Sequence, residues 1–346
     1  MTLLADTVGK LFGALATKEL IESAEQGVWP EKLWGALEEG GLTLPLVSEA
    51  AGGAGGTWLD AHVVVRASGR HTAPVPLAET IIAGWLLSRA GLEVPFGPLT
   101  IAPVHAGEAL TLARRGGALA VTGTATRVPW GRHAGHVVTV ADVDGRPSIA
   151  LIATSGARIS EGANLAREPR DTLTFDGATV LAAAASDVTA DTIRLYGAMA
   201  RAAQMAGALD ACLEQAVRYA TERKQFGRPI GSFQVIQQNL AVLAGHVAAS
   251  GIAAESAFRA ADRGDARFEI AVAKIRAGEA AGVGAGIAHQ THGAIGFTYE
   301  HSLHFATRRL WSWRAEFGSE SAWARELGAS VAARGADALW RDLTAR

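Results

Sequence analysis

The sequence predicts a mainly α-helical protein with a β middle domain. It divides into an N-terminal helical domain over residues 1–96, a small antiparallel β-barrel over 97–188 and a C-terminal four-helix bundle over 189–346. Three observations carry this. Hydrophobic spacing is helical, changes to a period of two, and becomes helical again. The middle stretch is cut by turn signals at short intervals. The last stretch holds long amphipathic runs with short connections. A length of 346 residues also favours more than one core.

In the first zone Pro30 opens a helix whose Leu33, Trp34 and Leu37 share one face, and Gly40-Gly41 stops it. Residues 52–56 are a Gly-rich loop, after which Thr57 and Trp58 begin another helix. Pro74 and Pro76 break the chain before helical spacing resumes over 77–90. In the middle zone, residues 110–112, 119–123, 137–140, 149–152 and 172–175 are short β-rich runs. Turns such as Arg115-Gly116-Gly117 and Asp144-Gly145 separate them. In the last zone, helices are expected over 192–224, 233–263, 267–291 and 319–344.

Nearly half of the chain is apolar, 49%, and 19% is charged, which excludes a disordered tail protein. With 32 basic against 34 acidic residues and no block of like charge, nucleic-acid binding through a basic footprint is not expected. A single cysteine, Cys212, cannot form an internal disulfide or a thiolate metal site, so a reducing compartment is expected. No run of 18 apolar residues occurs, and residues 1–20 do not read as a signal peptide. A soluble, cytoplasmic protein without a membrane partner is the expectation.

Three stretches carry chemistry. Residues 218–234 end a helix in a basic cluster, turn through Gly227 and Pro229, and restart after Ser232, a residue suited to capping. Composition reads this as a solvated helix corner. The functional reading beside it is an anion site, with Arg223 and Lys224 on a phosphate and Gln225, Phe226 and Gln234 holding a planar ligand. Residues 289–298 place Gly293 and Gly296 at a helix end, where a backbone can approach a ligand closely. His289 and His292 lack a third ligand nearby, so no metal is expected. The Gly282/Gly284/Gly286 run lies in a helical pattern after no strand, and close helix packing explains it better than a dinucleotide turn. Glu316 lies among Trp311, Trp313 and Phe317. Desolvation there would raise its pKa and suit a general base, but it also reads as an acid of a helical first turn.

Together these segments resemble the acyl-CoA dehydrogenase family, most strongly over residues 218–234 and 289–298 and more weakly along the whole chain. The family's order of helical domain, β-domain and four-helix bundle is the order read above. The resemblance implies FAD and an acyl-CoA substrate, with α-proton removal by a Glu carboxylate and hydride transfer to flavin N5, giving the 2,3-enoyl-CoA. It implies that Arg223, Gln225 and Phe226 meet the FAD diphosphate and adenine side of a neighbouring subunit, with Gln234, Gln290 and Gly293 as further contacts. Glu316 matches the base of the commonest branch; the region where a second branch carries its base, residues 195–198, has no Glu.

The chain also departs from the family. The Glu-Pro-Gly-Ala-Gly-Ser motif of the β-domain has no counterpart, residues 101–105 standing in its place, and the Trp-Ile-Thr strand is reduced to Val128-Pro129-Trp130. These losses resemble the smaller subunits of hetero-oligomeric acyl-CoA dehydrogenases. The implied partners are copies in a homotetramer or a larger dehydrogenase subunit in a heterotetramer, and an electron-transfer-flavoprotein-type acceptor. A non-catalytic subunit that completes a larger partner's FAD site is the alternative reading.

Overall fold

The computed structural model describes residues 3–105, 107–189 and 191–344. Five helices open the chain: α1 (Leu3–Leu15), α2 (Lys18–Glu25), α3 (Glu31–Glu39), α4 (Trp58–Arg70) and α5 (Leu77–Arg89). Each begins or ends on local chemistry. Thr57 caps α4 in a reciprocal box with Asp60, whose carboxylate accepts the Thr57 N–H at 2.9 Å. Pro30 and Pro76 precede α3 and α5 and donate no N–H where a helix start needs none.

The middle zone is β1 (Leu99–Ile101), β2 (Thr111–Arg115), β3 (Ala118–Pro129), β4 (His136–Val143), β5 (Arg146–Ala153), β6 (Ala157–Ser160) and β7 (Arg170–Ala185). The pairing path runs β1-β4-β5-β7-β3-β2, with β6 added to β7. One pair, β1 with β4, is parallel where an all-antiparallel arrangement was expected. The long β7 pairs with β5, β3 and β6, and register shifts in its pairings with β3 and β5 bend it around a separate apolar interior built on Val121, Val128, Ile152 and Phe175.

The last zone holds α6 (Asp191–Glu222), a small hairpin β8 (Lys224–Gln225) and β9 (Arg228–Pro229), α7 (Gln234–Arg263), α8 (Arg267–His292), α9 (Leu303–Ala315), α10 (Glu320–Arg334) and α11 (Ala336–Thr344). The single final helix expected over 319–344 is two helices, because Gly335 takes φ 80° between them. The expected cap on α7 also differs: Ser232 Oγ donates back to the Pro229 carbonyl at 2.7 Å, and Phe233 precedes the helix without a side-chain cap.

Helix crossings are set by small residues. A Cβ on Gly69 of α4 would lie 2.0 Å from the Gln204 carbonyl oxygen of α6, and one on Gly207 would lie 2.0 Å from the Arg66 carbonyl oxygen. The two helices therefore touch backbone to backbone, and the N-terminal helices share one core with the bundle. Within α8 a Cβ on Gly284 would meet Leu209 at 2.7 Å and Leu243 at 3.0 Å, which accounts for part of that Gly-rich run as close packing. Among the described residues α7 alone is long and apolar enough to cross a membrane by length and composition, a test that core helices of soluble proteins also pass. It packs on α6 and α8. Its Val235, Val242 and Ile252 nevertheless face outward, Ile252 with 70% of its surface exposed.

Candidate active site

Glu316 follows directly on the last residue of α9, in extended backbone. It is not in the first turn of α10; Ser319 caps that helix instead, accepting the Ala322 N–H at 3.3 Å. Phe317, at φ 55°, lays its ring against Gly197 of α6, where a Cβ would sit 2.4 Å from it. The Trp323 indole donates to the Phe317 carbonyl at 3.0 Å, and buried Lys274 of α8 donates to the carbonyls of Arg314 and Gly318, each at 2.7 Å. Burial pushes the Lys274 ammonium down to about 7. The turn carrying Glu316 is thus pinned on every side.

Its carboxylate is fully engaged. Oε1 accepts from Arg170 Nε at 2.8 Å and from Asn164 Nδ2 at 3.2 Å, and Oε2 accepts from Arg201 Nε at 2.7 Å and Arg170 Nη2 at 3.1 Å. Arg201 also donates to Glu79 of α5 and to Gln204. Arg170 donates to Glu168 Oε2 at 3.0 Å, which also accepts the Trp313 indole N–H at 2.9 Å; Arg309 pairs with Glu168 Oε1 at 3.3 Å. Three carboxylates (Glu79, Glu168, Glu316) and three guanidiniums (Arg170, Arg201, Arg309) balance in one buried cluster joining α5, α6, β7 and α9.

The electrostatics follow from that geometry. Burial pushes the Glu316 carboxyl up, but Arg170 and Arg201 outweigh it and hold the group down at about 2. Glu168 is held low by Arg170 and Arg309 against its own burial. Arg201 is held above the ordinary guanidinium range, because Glu79 and Glu316 overcome its desolvation. Glu316 is desolvated as the aromatic neighbours suggest, but its pKa moves in the opposite direction from the one burial alone would give. The sequence reading missed the arginines that decide it. A signal was available: Arg201 interrupts an otherwise Ala/Met-rich face of α6, and a charge there needs a buried partner.

Beside Glu316 lies a cavity of about 30 Å³ between the β-sheet and the α9–α10 turn, bordered by His105, Arg127, Pro129, Arg170 and Phe317. Such a space holds roughly two water molecules. A three-ring isoalloxazine does not fit it. Residues 101–105 and 127–129, where the expected β-domain motifs are altered, supply much of this wall.

The other expected residues gather elsewhere. Arg223, Lys224, Gln225, Phe226 and Arg228 form the exposed β8–β9 hairpin after α6; Phe226 at its tip has φ 50° and is 93% exposed. Arg228 stacks over Phe233, whereas among the described residues no carboxylate pairs with Arg223 or Lys224. Gln234 opens α7 at the hairpin's base, exposed. Gln290 and Gly293, at the end of α8, are exposed too, and Gly293 has open space around it at φ 64°. Free cations, amides and open backbone fit an anionic, phosphate-bearing group arriving from outside the chain. None of these residues lines the cavity beside Glu316.

Family profiles for the acyl-CoA dehydrogenase N-terminal domain and C-terminal domain match residues 2–94 and 191–330. The acyl-CoA dehydrogenase IpdE2 of Mycobacterium tuberculosis is 31% identical over 317 residues, covering 88% of this chain and 87% of that one. The chain belongs to the acyl-CoA dehydrogenase family. Among solved structures, it is similar to the ChsE4–ChsE5 complex from Mycobacterium tuberculosis, with a TM-score of 0.87, 25% identity and coverage of 96% of this chain and 98% of that one. The Tcur3481–Tcur3483 steroid ACAD G363A variant gives a TM-score of 0.86 and 26% identity, over 94% and 95% of the two chains. As an acyl-CoA dehydrogenase it is a flavoprotein of lipid metabolism, an FAD-dependent oxidoreductase acting on acyl-CoA thioesters. The cavity beside Glu316 is too small for the ring end of FAD, and the hairpin's exposed cations are of the chemical kind that holds a phosphate.

Proposed function

We propose that this chain is the smaller subunit of a hetero-oligomeric acyl-CoA dehydrogenase. Arg223, Gln225, Phe226 and Gln234, with Gln290 and Gly293, hold the diphosphate and adenine side of an FAD whose ring lies in a larger partner. The assembly dehydrogenates an acyl-CoA to the 2,3-enoyl-CoA. Bound FAD supplies the hydride acceptor; this chain supplies cations and backbone amides that orient the nucleotide. The observation that carries the reading is the 30 Å³ cavity bordered by Arg170 and Glu316, a carboxylate that Arg170 and Arg201 already engage, set against a hairpin whose Arg223 and Lys224 pair with no carboxylate among the described residues. The outward-facing apolar residues of α7, which starts at the hairpin's base, support assembly with another subunit. On this reading the assembly works in the cytoplasm and passes electrons to an electron-transfer-flavoprotein-type acceptor.

A second reading keeps Glu316 as the α-proton base, and one observation favours it: the carboxylate borders the cavity and is 11% exposed toward it. A general base works best with a pKa near the operating pH, and this one stands at about 2 under two arginines. Visible spectroscopy separates the readings. Purified alone, the chain is expected to be colourless; co-expressed with a larger dehydrogenase, the pair is expected to carry flavin and lose it on Arg223→Ala. A flavin spectrum from the chain alone that bleaches with an acyl-CoA overturns the subunit reading. Turnover abolished by Glu316→Gln, with flavin and assembly intact, establishes the second.

A further inference from the structure

Outside the charge cluster, the densest group of titratable side chains lies where α8 passes into α9. His289, His292 and His304 are buried there and His301 is half-buried. Backbone carbonyls fix two of the tautomers: His292 Nδ1 lies 2.7 Å from the Ala288 oxygen, and His304 Nδ1 lies 2.7 Å from the His301 oxygen. Each of those rings therefore carries its proton on Nδ1, and its Nε2 lone pair is buried without a hydrogen-bond partner. His289 Nδ1 is buried without one as well, while its Nε2 meets Thr307 Oγ1 at 2.9 Å. The rings stack instead of pairing. His289 lies between Phe297 and Trp311, at 4.1 and 5.6 Å, and His292 lies on Tyr219 at 4.7 Å and edge-on to His301 at 4.6 Å.

No metal explains the cluster, since the described residues hold no group of three such ligands placed to bind one. A proton does. Arg218 and the Gln215 carbonyl face His292 from α6, Lys18 and Glu25 face His301 and His304 from α2, and Arg308 faces His304 from α9. Tyr299 meets His304 edge-on and is tied to Arg167 of the β6–β7 loop. Glu25 is already bound to Arg308, so apart from the Gln215 carbonyl beside His292 a protonated imidazole finds cations around it.

We infer that this histidine stack is an acid-released latch: neutral, it holds the turn from Gln290 to Phe297, and protonated, it lets that turn go. Burial keeps all four imidazoles below their ordinary range, so they stay neutral until the solution is acid. Its consequence rests on the proposed function, because Gln290 and Gly293 sit on that turn. Acid would then loosen the nucleotide arm.

Hydrogen exchange of the full chain at pH 7.5 and 5.5, corrected for intrinsic rate, tests the latch. Protection over residues 289–301 is expected to fall at least ten-fold at pH 5.5, while residues 267–286 of α8 hold theirs. The double variant His289→Gln/His304→Gln is expected to abolish the difference. Equal protection at both pH values, or loss spread evenly along α8, overturns the latch. Should the double variant not fold, Trp311 reports on His289 directly. The emission difference between wild type and Trp311→Phe is expected to change about two-fold with a midpoint below pH 6.5, and a flat difference overturns the latch. Flavin retention by the assembly at pH 5.5 separates the two readings. A turn that opens while flavin stays bound overturns the assignment of Gln290 and Gly293 and leaves the latch standing.

Discussion

Arg201 and Arg223 stand within and just past the same helix, α6, and show two opposite uses of a guanidinium. Arg201 is buried to 2% exposure and donates to Glu79, Glu316 and Gln204. Arg223 is exposed at the start of a hairpin and meets no carboxylate among the described residues. Taking Arg201 out of water is costly, and only a complete set of acceptors offsets it. Such a group is committed to holding the domains together and is not free for a ligand. Arg223 has kept its hydration and its reach, so an anion from outside can take it. On the proposed function the family signature is thus divided: Glu316 is an internal tie, and the hairpin residues assigned to the nucleotide remain open.

The largest expected effect breaks the tie. Glu316→Ala strands Arg170 and Arg201 in the interior, and removal of one partner of a buried ion pair costs about 3–5 kcal/mol. Urea unfolding of the two proteins measures it. Glu316→Gln keeps an acceptor oxygen on the cluster and is expected to cost less than the alanine. A loss below 1 kcal/mol for Glu316→Ala would mean that the arginines find other acceptors, and the contrast with Arg223 would weaken.

Acid breaks the same tie without mutation. The folded-state pKa of Glu316, about 2, lies below its unfolded value, so its contribution to stability is present above about pH 4.5 and lost as pH falls toward 2. A shift of that size corresponds to about 3 kcal/mol. Unfolding followed from pH 5 to 2 is expected to show an acid limb that is shallower in Glu316→Gln. The lowered histidines act at higher pH, losing stability below about 6.5, so the two contributions occupy separate windows.

How much of this contrast was legible in the sequence depends on the range of the interactions. The order of helices, strands and helices was readable because hydrophobic period is local, and α7 and α8 begin and end within two residues of where spacing puts them. The turn after α6 was readable for the same reason, its Gly, Pro and basic residues being contiguous, whereas the short strand pairing within it was not. Two helices were not. Residues 303–315 are polar and aromatic all round, without a clear apolar stripe, and the break at Gly335 hides in an Ala-rich run. The charge cluster was least legible. Its members come from α5, the β6–β7 loop, β7, α6 and α9, and no local pattern announces that Glu79 and Glu316 will share Arg201. Judging Glu316 by its aromatic neighbours alone therefore gave the right burial and the wrong direction of pKa.

A smaller change sharpens the contrast from the packing side. Gly197→Ala places a Cβ within 2.4 Å of the Phe317 ring, which must then leave α6. Overpacking of this kind costs about 1–3 kcal/mol. Because Phe317 follows Glu316 directly, the cost is expected to be less than additive with Glu316→Ala in a double-mutant cycle, both changes loosening one turn. Additive costs would separate the ring from the charge cluster.

The smallest expected effect on the fold is at the open end. Arg223→Ala removes an exposed side chain that pairs with no carboxylate among the described residues and should leave unfolding within about 0.5 kcal/mol of wild type. In the co-purified assembly, the same change is expected to weaken flavin retention by about ten-fold or more, the worth of a charge-assisted hydrogen bond to phosphate. The wild-type assembly should also lose flavin more readily as salt rises, since an exposed cation is screened, and Arg223→Ala should flatten that dependence. Equilibrium dialysis of FAD at two ionic strengths measures both. If Arg223→Ala destabilised the chain and left flavin binding and its salt dependence unchanged, Arg223 would belong with Arg201 as a structural group. The division between the two ends of α6 would then fall.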